Sequence, residues 1–217
     1  MSETVYHSQV QLPRLYAILD AGCFADPIRM LSAAEDLAAG GITLLQYRNK
    51  SGQSRQMLRD AQELKRLLGE RVRLIINDRA DLCVAADFDG LHVGQEDLPP
   101  DCARRIIGTS ESGEARWLGV STHNPEQLAD ADQTSADYLA IGPVFKTSSK
   151  LNPDPVVGLE GVLRARQLTR RPLVAIGGIN RVNARSVVEA GADSVAVISD
   201  LIREPRKSAE EFLRILG

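Results

Sequence analysis

Residues 43–78 read TLLQYRNKSGQSRQMLRDAQELKRLLGERVRLIIND, and they carry a strand, a helix and a second strand in that order. Thr43–Gln46 and Val72–Ile76 are short and nearly continuously apolar, the pattern of strands covered on both faces. Between them Met57, Leu58, Ala61, Leu64 and Leu68 recur at the spacing of one helix face. A strand–helix–strand unit of this kind places its strands parallel, joined by a right-handed crossover.

The unit repeats outward in both directions. Leu15–Leu19, Gly90–Val93, Trp117–Val120, Tyr138–Ile141, Leu173–Ile176 and Ser194–Ile198 are further runs of strand type, bringing the total to eight. Leu159, Val162, Leu163 and Leu168 trace another helix stripe. Asp26-Pro27 and Asn124-Pro125 each offer an N-cap followed by proline at the first helical position. Ser208 with Glu211 reads as a capping box for the last helix, and Gly40-Gly41 and Gly191 fit helix ends. Eight such units in 217 residues fit an α/β fold of the closed (β/α)8 TIM-barrel type, because closure removes both sheet edges. A doubly wound open sheet is the alternative. No linker rich in Gly, Ser or Pro interrupts the chain and no repeat is visible in the letters. It therefore reads as one domain, 1–217, with residues 1–13 as an N-terminal extension.

Composition narrows the function classes. A 43% hydrophobic and 25% charged chain can bury a sizeable core, which excludes disordered and fibrous classes. The net charge of −3 and 4% aromatic content argue against a nucleic-acid partner. No apolar run reaches the roughly 20 residues of a membrane helix, and no secretory signal is visible. Cys23, Cys83 and Cys102 are odd in number and widely spaced, so a reducing, cytoplasmic setting is expected. A homo-oligomer is compatible with all of this.

Barrel enzymes gather their chemistry at the C-terminal ends of the strands. The segments at those ends here are Gln46-Tyr47-Arg48-Asn49-Lys50, Asn77-Asp78-Arg79, Gly94-Gln95-Glu96-Asp97, Ser121-Thr122-His123, the loop from Gly142 to Lys150, Gly177-Gly178-Ile179-Asn180, and Ile198-Ser199-Asp200. Arg48, Lys50 and Lys150 on one rim suit a phosphate or diphosphate; taken singly, each reads equally well as a solvated loop charge. Asp78 and Asp97 are the hard oxygen ligands Mg2+ prefers, although Asp78 also reads as a helix cap. A diphosphate, Mg2+, three cationic side chains and two carboxylates sum to about zero charge. Gly177-Gly178 and the start of a short turn at Ile198-Ser199 offer backbone N–H groups to an anion. No nucleophile is evident. His92 reads as a packed core residue, His123 as a loop residue.

The blocks LYAILD, GITLLQYRNK, LIINDRADL, DGLHVGQEDLP, LGVSTH, YLAIGPVFKTSSK, VAIGGIN and AGADSVAVIS together resemble the thiamine-phosphate synthase family, in order, over about residues 14–202. The resemblance implies a TIM-barrel transferase that joins hydroxymethylpyrimidine diphosphate to a thiazole phosphate, carboxylated or not. Its products are thiamine phosphate and pyrophosphate. It assigns Gln46, Tyr47, Arg48, Asn49, Lys50, Asn77, Ser121 and Lys150 to the pyrimidine diphosphate. Thr147, Ser148, Ser149, Gly178, Ile198 and Ser199 fall to the thiazole phosphate, and Asp78 and Asp97 to one Mg2+ per site. Arg48, Lys50, Ser121 and Lys150 would carry the catalysis. Tyr47 stands where the family usually has leucine, and Ser149 where it has threonine. Two rival readings are a thiazole tautomerase-like relative and a noncatalytic paralogue that binds thiamine precursors. Relatives of the first kind lose the Gln-x-Arg-x-Lys and acidic positions kept here, and the second would need neither metal ligands nor diphosphate cations.

Overall fold

The structure is a computed structural model that describes residues 10–147 and 154–217. Eight parallel strands pair in chain order and close on themselves: β1 (Leu15–Asp20), β2 (Leu44–Arg48), β3 (Arg73–Asn77), β4 (Gly90–Val93), β5 (Trp117–Thr122), β6 (Tyr138–Ile141), β7 (Leu173–Ile176) and β8 (Ser194–Val197). Closure is made by β8 against β1, with Val195 beside Leu15. The crossover helices are α1 (Pro27–Ala39), α2 (Ser54–Leu68), α3 (Ala80–Ala85), α4 (Pro100–Ile107), α5 (Pro125–Asp132), α6 (Gly158–Leu168) and α7 (Ala184–Glu189). A short α8 (Ser199–Ile202) and α9 (Pro205–Leu216) come after β8.

Strand pleating sends alternate side chains inward and outward, and this makes two cores. Tyr16, Ile18, Leu44, Ile75, Tyr138, Ala140, Val174 and Ala196 fill the barrel. The intervening positions, such as Ala17, Leu45, Tyr47, Leu74 and Ile76, meet the helices. Because both faces are buried, the strands show no apolar–polar alternation in sequence. α2 buries Met57, Ala61, Leu64 and Leu68 as expected, together with the unexpected Asp60.

The cap readings divide. Asp26 accepts from the Arg29 N–H at 2.9 Å and Asn124 from the Gln127 N–H at 2.8 Å, so both caps stand. Ser208 does not cap: α9 begins a turn earlier, with Pro205 at its first position, and the Ser208 N–H already bonds Glu204 O at 2.8 Å. The proline, pre-set for helical φ, takes the start. The stripe read on α6 is also corrected. Val162 and Ala165 are its buried residues, whereas Leu159, Leu163 and Leu168 lie at the surface.

At the base of the barrel one device recurs. Asp89, Asp137 and Asp193 stand immediately before β4, β6 and β8. Their carboxylates accept from the Leu74, Leu118 and Leu173 N–H groups of the preceding strands at 2.7, 2.7 and 2.8 Å. Each also holds a cation from the last helix but one: Lys65 of α2, Arg104 of α4 and Arg166 of α6. Three of the four alternate units are thus pinned at the base by a half-buried ion pair that also closes a backbone bond. The position before β2 is Thr43, so the fourth quarter lacks the carboxylate.

Candidate active site

The strand alternation decides which rim residues look into the mouth. Gln46 and Arg48 of β2 point inward, and Tyr47 between them points outward. Tyr47 is fully buried against α2 and its hydroxyl donates to Asp60 at 3.0 Å. The expectation that Tyr47 contacts substrate is therefore corrected: its side chain lies on the far side of the sheet from the mouth. It acts on the loop instead. Asn49 Nδ2 donates to the Tyr47 hydroxyl at 3.2 Å, and Asn49 Oδ1 accepts from the Gly52 N–H at 2.7 Å. Asn49 is accordingly a loop-shaping residue beside Arg48 and Lys50.

Arg48 ion-pairs with Asp20, the last residue of β1, which lies opposite it in the strand register. Asp20 also accepts from the Gly22 N–H at 3.0 Å. The block LYAILD ended on this carboxylate, but a single acid closing an apolar run gave no reason to single it out. Lys50 ion-pairs with Asp78.

Asp78 and Asp97 come together. Their carboxyls lie within hydrogen-bonding reach of each other. Asp97 is held by the Gly94 N–H at 2.7 Å. Asp78 has φ +63°, a left-handed conformation that few residues other than glycine, asparagine and aspartate adopt. It does not cap α3, whose cap residue is Arg79. Burial and the facing Asp97 push the Asp78 carboxyl above the usual carboxylate range, against the pull of Lys50. Two like charges crowded at a mouth call for a cation, and Lys50 already answers that call from one side.

The pair fits the metal that the sequence reading implied. Among the described residues no cluster of three or more His, Cys, Asp or Glu could cage an ion. Mg2+ does not need one, since it commonly takes one or two carboxylates and completes its shell with water and substrate phosphates.

Asn77 ends β3 opposite His92 in the register. Ser121 of β5 lies 2.8 Å from His92 Nε2, and His92 Nδ1 lies 3.1 Å from the Tyr138 hydroxyl. Burial lowers the His92 pKa to about 4, so the ring is neutral at pH 7. His92 is thus a core residue, as read, but one bonded directly to a mouth residue. Tyr16 and Tyr138 were missed. Their only sequence signal is a phenol at an inward position on each of two strands 122 residues apart.

The other half of the rim is built from the ends of β6, β7 and β8. Gly178 has φ +65°, and a Cβ there would stand 2.5 Å from Lys146 O, so only glycine lets the loop after β6 lie across the end of β7. Arg181 binds Asp200 through contacts of 2.9, 3.0 and 3.1 Å and also pairs with Glu211, tying the loop after β7 to α8 and α9. This clamp holds the loop after β7 against the start of α8, where Ser199 lies. Thr147, in the loop after β6, is half-buried. Ser148, Ser149 and Lys150 lie outside the described residues.

The rim therefore has an acidic and cationic sector over β1–β5 and a backbone-rich sector over β6–β8. Known proteins resemble the chain over nearly its whole length. The family profile described as thiamine monophosphate synthase matches residues 15–201. A thiamine-phosphate synthase of Koribacter versatilis is 57% identical over 212 residues, 96% of this chain and 98% of the relative. One from Chloroflexus aurantiacus is 43% identical over 190 residues, 87% of this chain and 85% of the relative. The solved structure of a thiamine phosphate pyrophosphorylase from Pyrococcus furiosus superposes with a TM-score of 0.81 at 32% identity, covering 94% of this chain and 95% of that one.

Proposed function

The chain belongs to the thiamine monophosphate synthase family, and from that premise we propose how its mouth carries out the coupling. The reaction is that of a thiamine-phosphate synthase, a transferase that joins hydroxymethylpyrimidine diphosphate to a thiazole phosphate and releases pyrophosphate.

The pyrimidine diphosphate lies over the β2–β5 sector. Gln46, Asn77 and Ser121 hold the ring, and Arg48, Lys50 and Lys150 hold the diphosphate. Asp20 fixes the Arg48 guanidinium at the mouth, and the N–H groups it leaves unused form a fork for phosphate oxygens. Asp78 and Asp97 would hold one Mg2+. When bound, it supplies positive charge to the diphosphate and so eases its departure. Lys50 gives up Asp78 for the diphosphate as ligands enter, an exchange between partners of like sign.

The thiazole phosphate docks on the β6–β8 sector, at Thr147, Gly178 and the Ile198-Ser199 backbone, with Ser148 and Ser149 assigned there by motif alone. Anchored by its phosphate, the thiazole presents its ring nitrogen to the pyrimidine methylene carbon. We read the displacement as dissociative, with the cationic side chains stabilising charge that grows on the leaving group. Residues 10–147 and 154–217 contain no helix long and apolar enough to cross a membrane, and the free thiols of Cys23, Cys83 and Cys102 fit a reducing cytoplasm.

The observation that carries this reading is the meeting of the Asp78 and Asp97 carboxyls beside Lys50. The test is pyrophosphate release measured with each substrate alone, with both, and with both plus EDTA. Release that requires both substrates and free Mg2+ supports the reading. Release from the pyrimidine diphosphate alone, or release untouched by EDTA, overturns it.

A further inference from the structure

A buried hydrogen-bond chain crosses the barrel beneath the mouth. Gln46 Nε2 donates to the Tyr16 hydroxyl at 2.9 Å, Tyr16 and Tyr138 hydroxyls lie 3.1 Å apart, Tyr138 meets His92 Nδ1 at 3.1 Å, and His92 Nε2 meets Ser121 Oγ at 2.8 Å. The two phenol rings pack edge to face with centroids 6.2 Å apart. Gly119 makes the crossing physically possible, since a methyl there would overlap both the Tyr138 ring and His92 Nδ1. Tyr16, Tyr138 and His92 are all buried.

Each phenol has one proton to give. The Tyr16 oxygen accepts from Gln46, so its own proton needs an acceptor, and its other hydrogen-bond partner is Tyr138. The Tyr138 proton then goes to His92 Nδ1. A neutral imidazole that accepts at Nδ1 carries its proton on Nε2 and donates it to Ser121 Oγ. The serine's own proton is left to point into the mouth. With Gln46 Nε2 facing Tyr16, the reverse polarity would leave the Tyr16 proton without an acceptor; it would require the amide to turn its Oε1 to the phenol.

We propose that Tyr138, polarised by Tyr16, is a positioning residue: it holds His92 in the Nε2–H tautomer and so makes Ser121 a hydrogen-bond donor to the substrate. This rests on the reading that Ser121 faces the pyrimidine substrate. The reaction is affected in two ways. Ser121 selects an acceptor, such as a ring nitrogen lone pair, and disfavours an amino group at that point. And His92, with its proton already on Nε2, cannot deprotonate Ser121, so a Ser–His pair that resembles a nucleophile and its base serves to orient a ring instead.

The test reads the tautomer directly, by long-range 15N–1H correlation of the full chain at neutral pH, with His92 assigned by the loss of its signals in His92→Gln. The expected result is Nε2–H in the wild type. Tyr138→Phe should mix the tautomers and raise KM for pyrimidine diphosphate about tenfold, leaving KM for thiazole phosphate unchanged. His92→Gln keeps an amide N–H in place of Nε2–H without a link to Tyr138. In that background Tyr138→Phe should add no further change in KM, an outcome that a merely structural role would not produce. An Nδ1–H ring in the wild type overturns the polarity, and so does an equal Tyr138→Phe effect in both backgrounds. An Nε2–H ring whose Tyr138→Phe variant alters neither KM overturns the other half, the placing of Ser121 on the pyrimidine.

Discussion

The Tyr47 hydroxyl donates to the buried carboxylate of Asp60 at 3.0 Å and accepts from Asn49, so the loop that carries Lys50 is moored to α2 from behind the sheet. Tyr47→Phe leaves Asp60 with the Gln56 bond of 2.7 Å and Asn49 with one partner fewer. The expected cost is about 1–2 kcal/mol in chemical denaturation. Steady-state kinetics should show a severalfold rise in KM for pyrimidine diphosphate with little change in kcat. A kcat loss at constant KM would place Tyr47 in the chemistry and contradict its position.

Asp78 trades stability for function. It is half-buried, faces another carboxyl and sits at φ +63°, a conformation that asparagine tolerates well. Asp78→Asn removes the like-charge repulsion, while the exposed Lys50 loses an ion pair of small worth. Calorimetry should show Tm raised by a few degrees, and turnover should fall at least about 100-fold. A lowered Tm would mean that the Lys50 pair outweighs the repulsion.

The buried His92 gives the fold an acid limit. Its pKa is lowered by burial from 6.5 to about 4. Between those values the unfolded chain binds a proton that the native ring refuses, so stability rises with pH there and is lost as pH falls from 6.5 toward 4. Denaturation midpoints across that range should show this slope in the wild type and a shallower one in His92→Gln. Equal slopes would put the acid sensitivity elsewhere.

The aspartates at the base should matter to stability alone. Asp137→Ala leaves Arg104 without its carboxylate and the Leu118 N–H without its side-chain acceptor. Loss of this half-buried, charge-assisted bond costs about 2 kcal/mol, visible as a lower denaturation midpoint. Because this face lies opposite the mouth, kcat per folded molecule should not change.

How much of this could be read from the letters depended on the range of each interaction. The eight strands announced themselves because burial on both faces leaves continuous apolar runs, and the rim residues were found from where those runs end. The same rule hid Asp20, which is polar yet still within β1. Tyr47 was placed on the wrong side because its neighbours Gln46 and Arg48 drew it into one motif, although a strand sends adjacent side chains apart. Asp60 sits in an apolar stripe where only its distant partner Tyr47 explains it. The Tyr16–Tyr138 contact joins opposite parts of the chain, and no local pattern encodes it. The repeated aspartates escaped notice because the repeat lies in partners and geometry, with almost nothing shared in sequence around them.

The central claim is that Asp78 and Asp97 act together as one cation site for a diphosphate. Titration calorimetry of Mg2+ into the protein, with pyrophosphate present and absent, tests it most directly. One ion per chain should bind in the presence of pyrophosphate, and that binding should disappear in both Asp78→Asn and Asp97→Asn. Stoichiometric Mg2+ binding that survives in either variant would contradict the account.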